Sequence, residues 1–151
     1  MSFQEKNITV TLVSFSLILI FYTIRVFQMA TDGGLNSTDL FRLWGITIVF
    51  SIIVTIVGMI LTHIVSAIVI AIQTGDEDPD IEDIKDERDE IIDLKGTKIT
   101  YTITSIGSFF AMLTFVLGQS PLVMFALLVF FGLVAQVVGD ITRLFIYRRG
   151  F

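Results

Sequence analysis

Four long apolar stretches dominate this chain of 151 residues and constrain its fold more than any other feature. A helix that crosses a hydrocarbon core of roughly 30 Å needs about 20 predominantly apolar residues. The stretches at residues 8–29, 44–72, 98–117 and 121–147 each meet that requirement. Because backbone polar groups inside lipid must bond within the protein, such stretches form helices. The sequence therefore predicts an all-α membrane protein, a single domain built as a four-transmembrane-helix bundle.

The connection between the third and fourth stretches is the short run Gly-Gln-Ser-Pro. Gly118 suits the end of one helix, and Pro121 suits the first turn of the next. A connection this short places the two helices side by side. We therefore expect helices three and four to form an antiparallel hairpin.

The distribution of Lys and Arg predicts the orientation of the bundle, since these residues favour cytoplasmic loops. If both termini are cytoplasmic, Arg25 and Arg42 are the only two of the ten basic residues that lie outside. The eight on the cytoplasmic side are Lys6, Lys85, Arg88, Lys95, Lys98, Arg143, Arg148 and Arg149. We therefore expect a multi-pass protein of the cell membrane with both termini in the cytoplasm.

Small and hydroxyl residues recur every three or four positions in three of the predicted helices. Such residues let helix backbones approach closely inside lipid. The predicted seams are Ser51, Thr55, Gly58 and Thr62; Thr97, Thr100, Thr104, Gly107, Ala111 and Thr114; and Gly132, Ala135, Gly139 and Thr142. A spacing near 3.5 predicts left-handed packing of the bundle. The hydroxyls either support this packing or line a partly hydrated path for a solute.

Ionisable residues inside a membrane span are costly and are therefore candidates for a site. Arg25 lies near the outer end of the first helix, where its long side chain can reach the headgroups. His63 and Asp140 lie at the same predicted depth, near the inner boundary, and Arg143 follows Asp140 on the same helical face. The sequence thus predicts a polar binding cluster in which His63 pairs with Asp140, with Arg143 beside them. This cluster carries a proton, senses cytoplasmic pH, binds or conducts a solute, or has a purely structural role.

The segment at residues 74–96 is the one sizeable soluble element, and it holds 11 of the 15 carboxylates between Asp76 and Asp93. Helical spacing of its isoleucines predicts a short cytoplasmic amphipathic acidic helix between helices two and three, with Gly96 as its stop. An anionic leaflet repels such a surface. We therefore expect this helix to pack on the bundle, on a second copy or on a partner.

The acidic segment also invites comparison with a calcium-binding loop. Asp76, Asp78 and Asp80, with Glu87, occupy the first, third, fifth and twelfth places of that template. Ile81 stands where the loop requires Gly, so the match fails at its sharp turn. These carboxylates are weak metal candidates, and we expect no metal site of high affinity.

Two parts of this sequence carry a resemblance to known proteins. They are the run Asp-Glu-Arg-Asp-Glu-Ile at residues 86–91, ahead of Lys95, and the closing Tyr-Arg-Arg-Gly-Phe. Together they resemble a family of small predicted membrane proteins of unknown function from archaea and bacteria. The resemblance covers residues 80–151. It implies two hydrophobic spans after the motif and implies no activity. It also marks the candidates for partner contact, which are Asp86, Glu87, Arg88 and Ile91.

The chain has no cysteine, a single histidine, no Gly-rich phosphate loop and no basic patch. We therefore expect no enzyme activity, no cofactor and no nucleic-acid partner. The leading hypothesis is a protein that acts by self-assembly into a homo-oligomer, or by contact with another membrane or cytoplasmic protein, through its acidic helix. The alternative is a small oligomeric channel or transporter with its polar site at His63, Asp140 and Arg143.

Overall fold

The computed structural model describes residues 3–74 and 87–149, which form four α-helices. These are α1 (Phe3–Thr31), α2 (Ser37–Thr74), α3 (Glu87–Val116) and α4 (Pro121–Arg149). Each contains a window long and apolar enough to cross a membrane. The prediction of an all-helical protein with four such helices is therefore confirmed.

The turn between α3 and α4 follows from its sequence. Gly118 has a φ of 87°, a left-handed conformation that glycine adopts at low cost. The amide of Gln119 donates to the carbonyl of Thr114 at 3.1 Å, and Ser120 Oγ accepts from the amide of Leu122 at 3.3 Å. These bonds satisfy backbone groups at both helix ends and produce the predicted hairpin.

The predicted helix stop at Gly96 is wrong, because α3 begins at Glu87 and continues through Gly96 into the membrane span. Glycine inside a helix costs only about 1 kcal/mol relative to alanine, which neighbouring contacts can offset. Residues 87–95 are thus the first turns of α3 and not the end of a separate helix. The part of the predicted acidic helix at residues 75–86 lies outside the described residues.

The helices pack unequally, because α4 lies at the centre of the bundle. It packs along α3 on one side and α1 on the other, and α1 packs along α2. Glu5 and Arg148 form an ion pair at 3.5 Å. The pair lies at the end of the bundle where α1 begins and α4 ends, which we call the terminal end. The rings of Phe41 and Phe125, 5.6 Å apart, mark the opposite, turn end.

Two of the three predicted seams lie between α3 and α4. Gly107 of α3 is buried against Phe131, and Gly139 of α4 is buried against Thr100. Gly132 does not belong to this seam: it is exposed, and no atom lies within 4 Å of where its Cβ would be. α3 instead approaches α4 at Phe131 and Gly139. The left-handed sense of the packing stays a prediction.

Seven of the eight seam hydroxyls are satisfied within their own helices, and the eighth, Thr97, accepts from Arg143 of α4. Each of the seven donates to a carbonyl one turn earlier at 2.7–3.1 Å, and the donors are Ser51, Thr55, Thr62, Thr100, Thr104, Thr114 and Thr142. This pattern removes the cost of placing a hydroxyl in lipid. It agrees with the packing interpretation of these residues.

A small apolar core near the turn end joins α1, α2 and α4. It consists of Ile18, Tyr22, Leu43 and Leu133. The Oη atom of Tyr22 donates to the carbonyl of Ala126 at 3.0 Å, which satisfies a phenol that is 1% exposed. The large apolar side chains of α2 are mostly exposed on the outside of the bundle, where lipid can cover them. The polar interior lies towards the other end.

Candidate functional site: a polar cavity at the terminal end

A cavity of about 640 Å³ lies at the terminal end and is lined by residues from all four helices. α4 contributes more polar side chains to the lining than any other helix, namely Gln136, Asp140, Arg143 and Tyr147. Spacings of four, three and four residues place these side chains one above another on one helix face. The cavity therefore has one polar wall that runs along the last turns of α4.

Asp140 is the deepest ionisable group of this wall and is 3% exposed. Gln136 donates its side-chain amide to both carboxylate oxygens at 3.2 Å. Arg143 donates Nη1 to Oδ1 at 2.9 Å. A buried carboxylate is costly unless it is paired and hydrogen-bonded, and both conditions hold here.

Arg143 binds α3 as well as Asp140, and its side chain is only 13% exposed. Nε donates to Asp93 Oδ1, and Nη2 donates to Thr97 Oγ1, each at 2.9 Å. The planar guanidinium thus uses all three of its nitrogens in one layer between two helices. One arginine therefore balances a buried carboxylate on α4 and a half-exposed carboxylate on α3.

Gly96 provides the space that Arg143 occupies. A Cβ atom at Gly96 would overlap the Cγ, Nε and Cζ atoms of the arginine, so a larger residue requires the guanidinium to move. The residue that the sequence suggested as a helix stop is therefore part of the packing around the site.

Tyr147 and Asp89 form the outermost polar contact of the cavity. The Oη atom of Tyr147 donates to Asp89 Oδ1 at 2.5 Å. Arg88 donates Nη2 to the backbone carbonyl of Tyr147 at 3.3 Å. These contacts join the first turn of α3 to the last turns of α4.

The remaining walls come from α1 and α2. Asn7, Thr11 and Phe15 line the cavity from α1, and Met59 and His63 line it from α2. The Oδ1 atom of Asn7 is buried and has no hydrogen-bond partner among the described residues. An unpaired buried acceptor of this kind costs about 1–3 kcal/mol, which a donor from a ligand or a water molecule would recover.

The structure brings the three predicted cluster residues to one cavity. Asp140 and Arg143 are in direct contact, as their spacing predicts, while His63 lies on the α2 wall. Asp140 interacts with Gln136 and Arg143 on its own helix and with Thr11 on α1. Direct pairing of His63 with Asp140 stays a prediction.

The predicted partner-contact residues lie elsewhere. Glu87, Arg88 and Ile91 are exposed at the start of α3, and Asp86 lies outside the described residues. The weak metal candidates Asp76, Asp78 and Asp80 also lie outside them. Within residues 3–74 and 87–149, no group of three or more His, Asp or Glu side chains is placed to hold a metal ion.

Sequence reasoning missed Gln136, Asp89, Asp93 and Tyr147 as site residues. Gln136 had a usable signal, because it lies one turn before Asp140 on the same face. Asp89 and Asp93 were assigned to a separate soluble helix, and only the continuity of α3 brings them to the cavity. Comparison with protein-family models, curated proteins and solved structures gives no match to this chain. The resemblance to small predicted membrane proteins therefore stays a prediction.

Proposed function

We propose that this protein is a small, non-enzymatic, multi-pass protein of the cell membrane that conducts or carries a small polar solute through the cavity among its four helices. The observation that carries the proposal is Asp140, which is 3% exposed and lines a cavity of about 640 Å³. Ionisable groups at membrane depth commonly mark solute or ion pathways. The excess of basic residues at the terminal end supports a cavity that opens to the cytoplasm.

A pair of threonine variants tests passage through the cavity. Thr55 lines the cavity and Thr23 is exposed on the outside of α1, yet both hydroxyls donate to a carbonyl one turn earlier at 2.7 Å. Thr55→Phe fills the cavity, so we expect it to lower solute flux by about tenfold or more, whereas Thr23→Phe leaves the flux unchanged. The measurement is the flux of protons, alkali cations, alkylammonium ions and chloride into liposomes that contain the purified protein.

Two results contradict this proposal. One is the absence of any flux above that of protein-free liposomes. The other is equal flux through Thr55→Phe and Thr23→Phe, which would show that any transported solute avoids the cavity.

A second candidate function is contact with another copy or a partner through the start of α3. Ile91 is 44% exposed and Leu94 is 63% exposed, and both precede Lys98, where the predicted membrane span begins. Glu87 and Glu90 are exposed beside them. Exposed aliphatic side chains among charges outside the lipid are typical of a contact surface.

Site-specific crosslinking tests this contact, and the absence of native cysteine makes it specific. We expect a thiol-attached photocrosslinker at Ile91→Cys to give one adduct of defined mass in native membranes. The matched variant Leu117→Cys, which is 72% exposed at the turn end, should give none. Lack of an adduct at Ile91→Cys, or the same adduct from both variants, would reject the contact surface.

A further inference from the structure

The cavity carries more negative than positive charge. Three carboxylates line it, those of Asp89, Asp93 and Asp140, against two basic side chains, Arg143 and His63. Two of the carboxylates share the guanidinium of Arg143, and the third accepts from the neutral hydroxyl of Tyr147. Because carboxylates outnumber basic side chains in this lining, the cavity should attract a cation more strongly than an anion.

Two acceptors on the walls have capacity that the described residues do not use. Asp140 Oδ2 accepts from the neutral amide of Gln136 at 3.2 Å, while Oδ1 accepts from both Gln136 and Arg143. The Thr11 hydroxyl also interacts with this carboxylate, but its proton is directed to the carbonyl of Ile8 at 2.9 Å. A carboxylate has about four lone-pair sites, so Oδ2 can accept a further donor. Asn7 Oδ1 is buried with no partner among the described residues. Both atoms can therefore accept a hydrogen bond from a donor that enters the cavity.

The rest of the lining is apolar. Phe15, Met59 and Ile92 line the same cavity as the polar wall of α4. A ligand that fits this combination has a charged donor group at one end and a short hydrocarbon part at the other. An aromatic ring such as that of Phe15 attracts a cation that lies over its face.

We propose that the cavity binds a small organic cation with N–H donors, namely a protonated amine, whose ammonium engages Asp140 and Asn7 while its hydrocarbon part packs on Phe15. This inference names the solute class of the proposed function and rests on it. Charge-assisted hydrogen bonds to a buried carboxylate are stronger than neutral ones. The protonated amine should therefore bind more tightly than a neutral molecule of the same shape.

The test uses three probes of matched size, butylammonium, butan-1-ol and butyrate, added to the full-length protein in lipid nanodiscs. Calorimetry should show butylammonium binding about tenfold or more tightly than either of the others. Asp140→Asn and Asp93→Asn should each weaken butylammonium binding by about fivefold or more, because each removes charge from the cavity. Asp39→Asn, at an exposed position of the turn end, is the matched control and should leave the affinity unchanged.

The outcomes separate this inference from the function on which it rests. The cation assignment would be overturned if butan-1-ol or butyrate bound or crossed in preference to butylammonium. If Thr55→Phe abolished that binding or flux, the cavity would remain the solute site. Butylammonium binding that survives both Asp140→Asn and Asp93→Asn would also overturn the cation assignment. If no probe binds and no solute crosses liposomes, both proposals fail.

Discussion

Arg143→Gln should destabilise the folded protein by about 3–5 kcal/mol, because it leaves Asp140 buried without its cation. Asp140 is 3% exposed, and Arg143 holds it, Asp93 and Thr97 in one layer between α3 and α4. The neutral amide of glutamine cannot balance the charge of the carboxylate. The measurement is the free energy of unfolding from reversible denaturation in mixed detergent micelles.

A second substitution separates charge burial from lost packing. If the buried charge causes the defect, Arg143→Gln combined with Asp140→Asn should recover most of the lost stability, since the two side chains are in direct contact. The matched control is Arg148→Gln on the same helix, where Arg148 is 62% exposed and pairs with Glu5 at 3.5 Å. We expect that exposed pair to contribute only about 0–1 kcal/mol. A double variant as unstable as Arg143→Gln alone would reject charge burial as the cause.

The membrane architecture could be predicted from the sequence because lipid leaves few alternatives. Apolar length alone indicates a helix where backbone groups have no water to bond to. The turn before Pro121 was predictable for a local reason, since Gly118 and Pro121 each suit one helix end. The contact between Asp140 and Arg143 was also local, because residues three apart in a helix are neighbours.

The acidic wall of the cavity was not predictable in the same way, because it depends on contacts between distant parts of the chain. Gly96 is a helix terminator by local propensity and lies within α3 in the structure. Its place there is explained by Arg143, which occupies the space that a side chain would fill. Asp89 and Asp93 reach the cavity only because α3 continues through this glycine. The low helix propensity of glycine costs about 1 kcal/mol, which is small compared with the stabilisation from such tertiary contacts.

The seams illustrate the same distinction between pattern and packing. Periodicity identified Gly132 and Gly139 as equivalent, since they lie seven residues apart on nearly the same face of α4. Only Gly139 meets a neighbouring helix, because a seam also needs the opposing backbone to be close. The difference between these two glycines therefore depends on where α3 approaches α4, which a single sequence does not contain.

Gly139→Ala should destabilise the hairpin of α3 and α4 by about 1–3 kcal/mol, the usual cost of forcing extra volume into a packed interface. The new Cβ would overlap Thr100 Oγ1 and would lie 3.4 Å from both the carbonyl oxygen of Gly96 and Arg143 Nη1. The backbones must therefore separate or Thr100 must leave its position. Separation would also lengthen the bonds from Arg143 to α3. The measurement is again the free energy of unfolding.

Gly132→Ala is the matched control, because it adds the same methyl group to the same helix where no atom lies within 4 Å. It should stabilise the helix slightly, by up to about 1 kcal/mol, since alanine has the higher helix propensity. Gly139→Ala combined with Thr100→Ala should recover stability, because the second change removes the atom that the new methyl meets. Equal effects of the two glycine variants, or no recovery in the double variant, would contradict the close approach of α3 and α4 that places Asp93 beside Arg143.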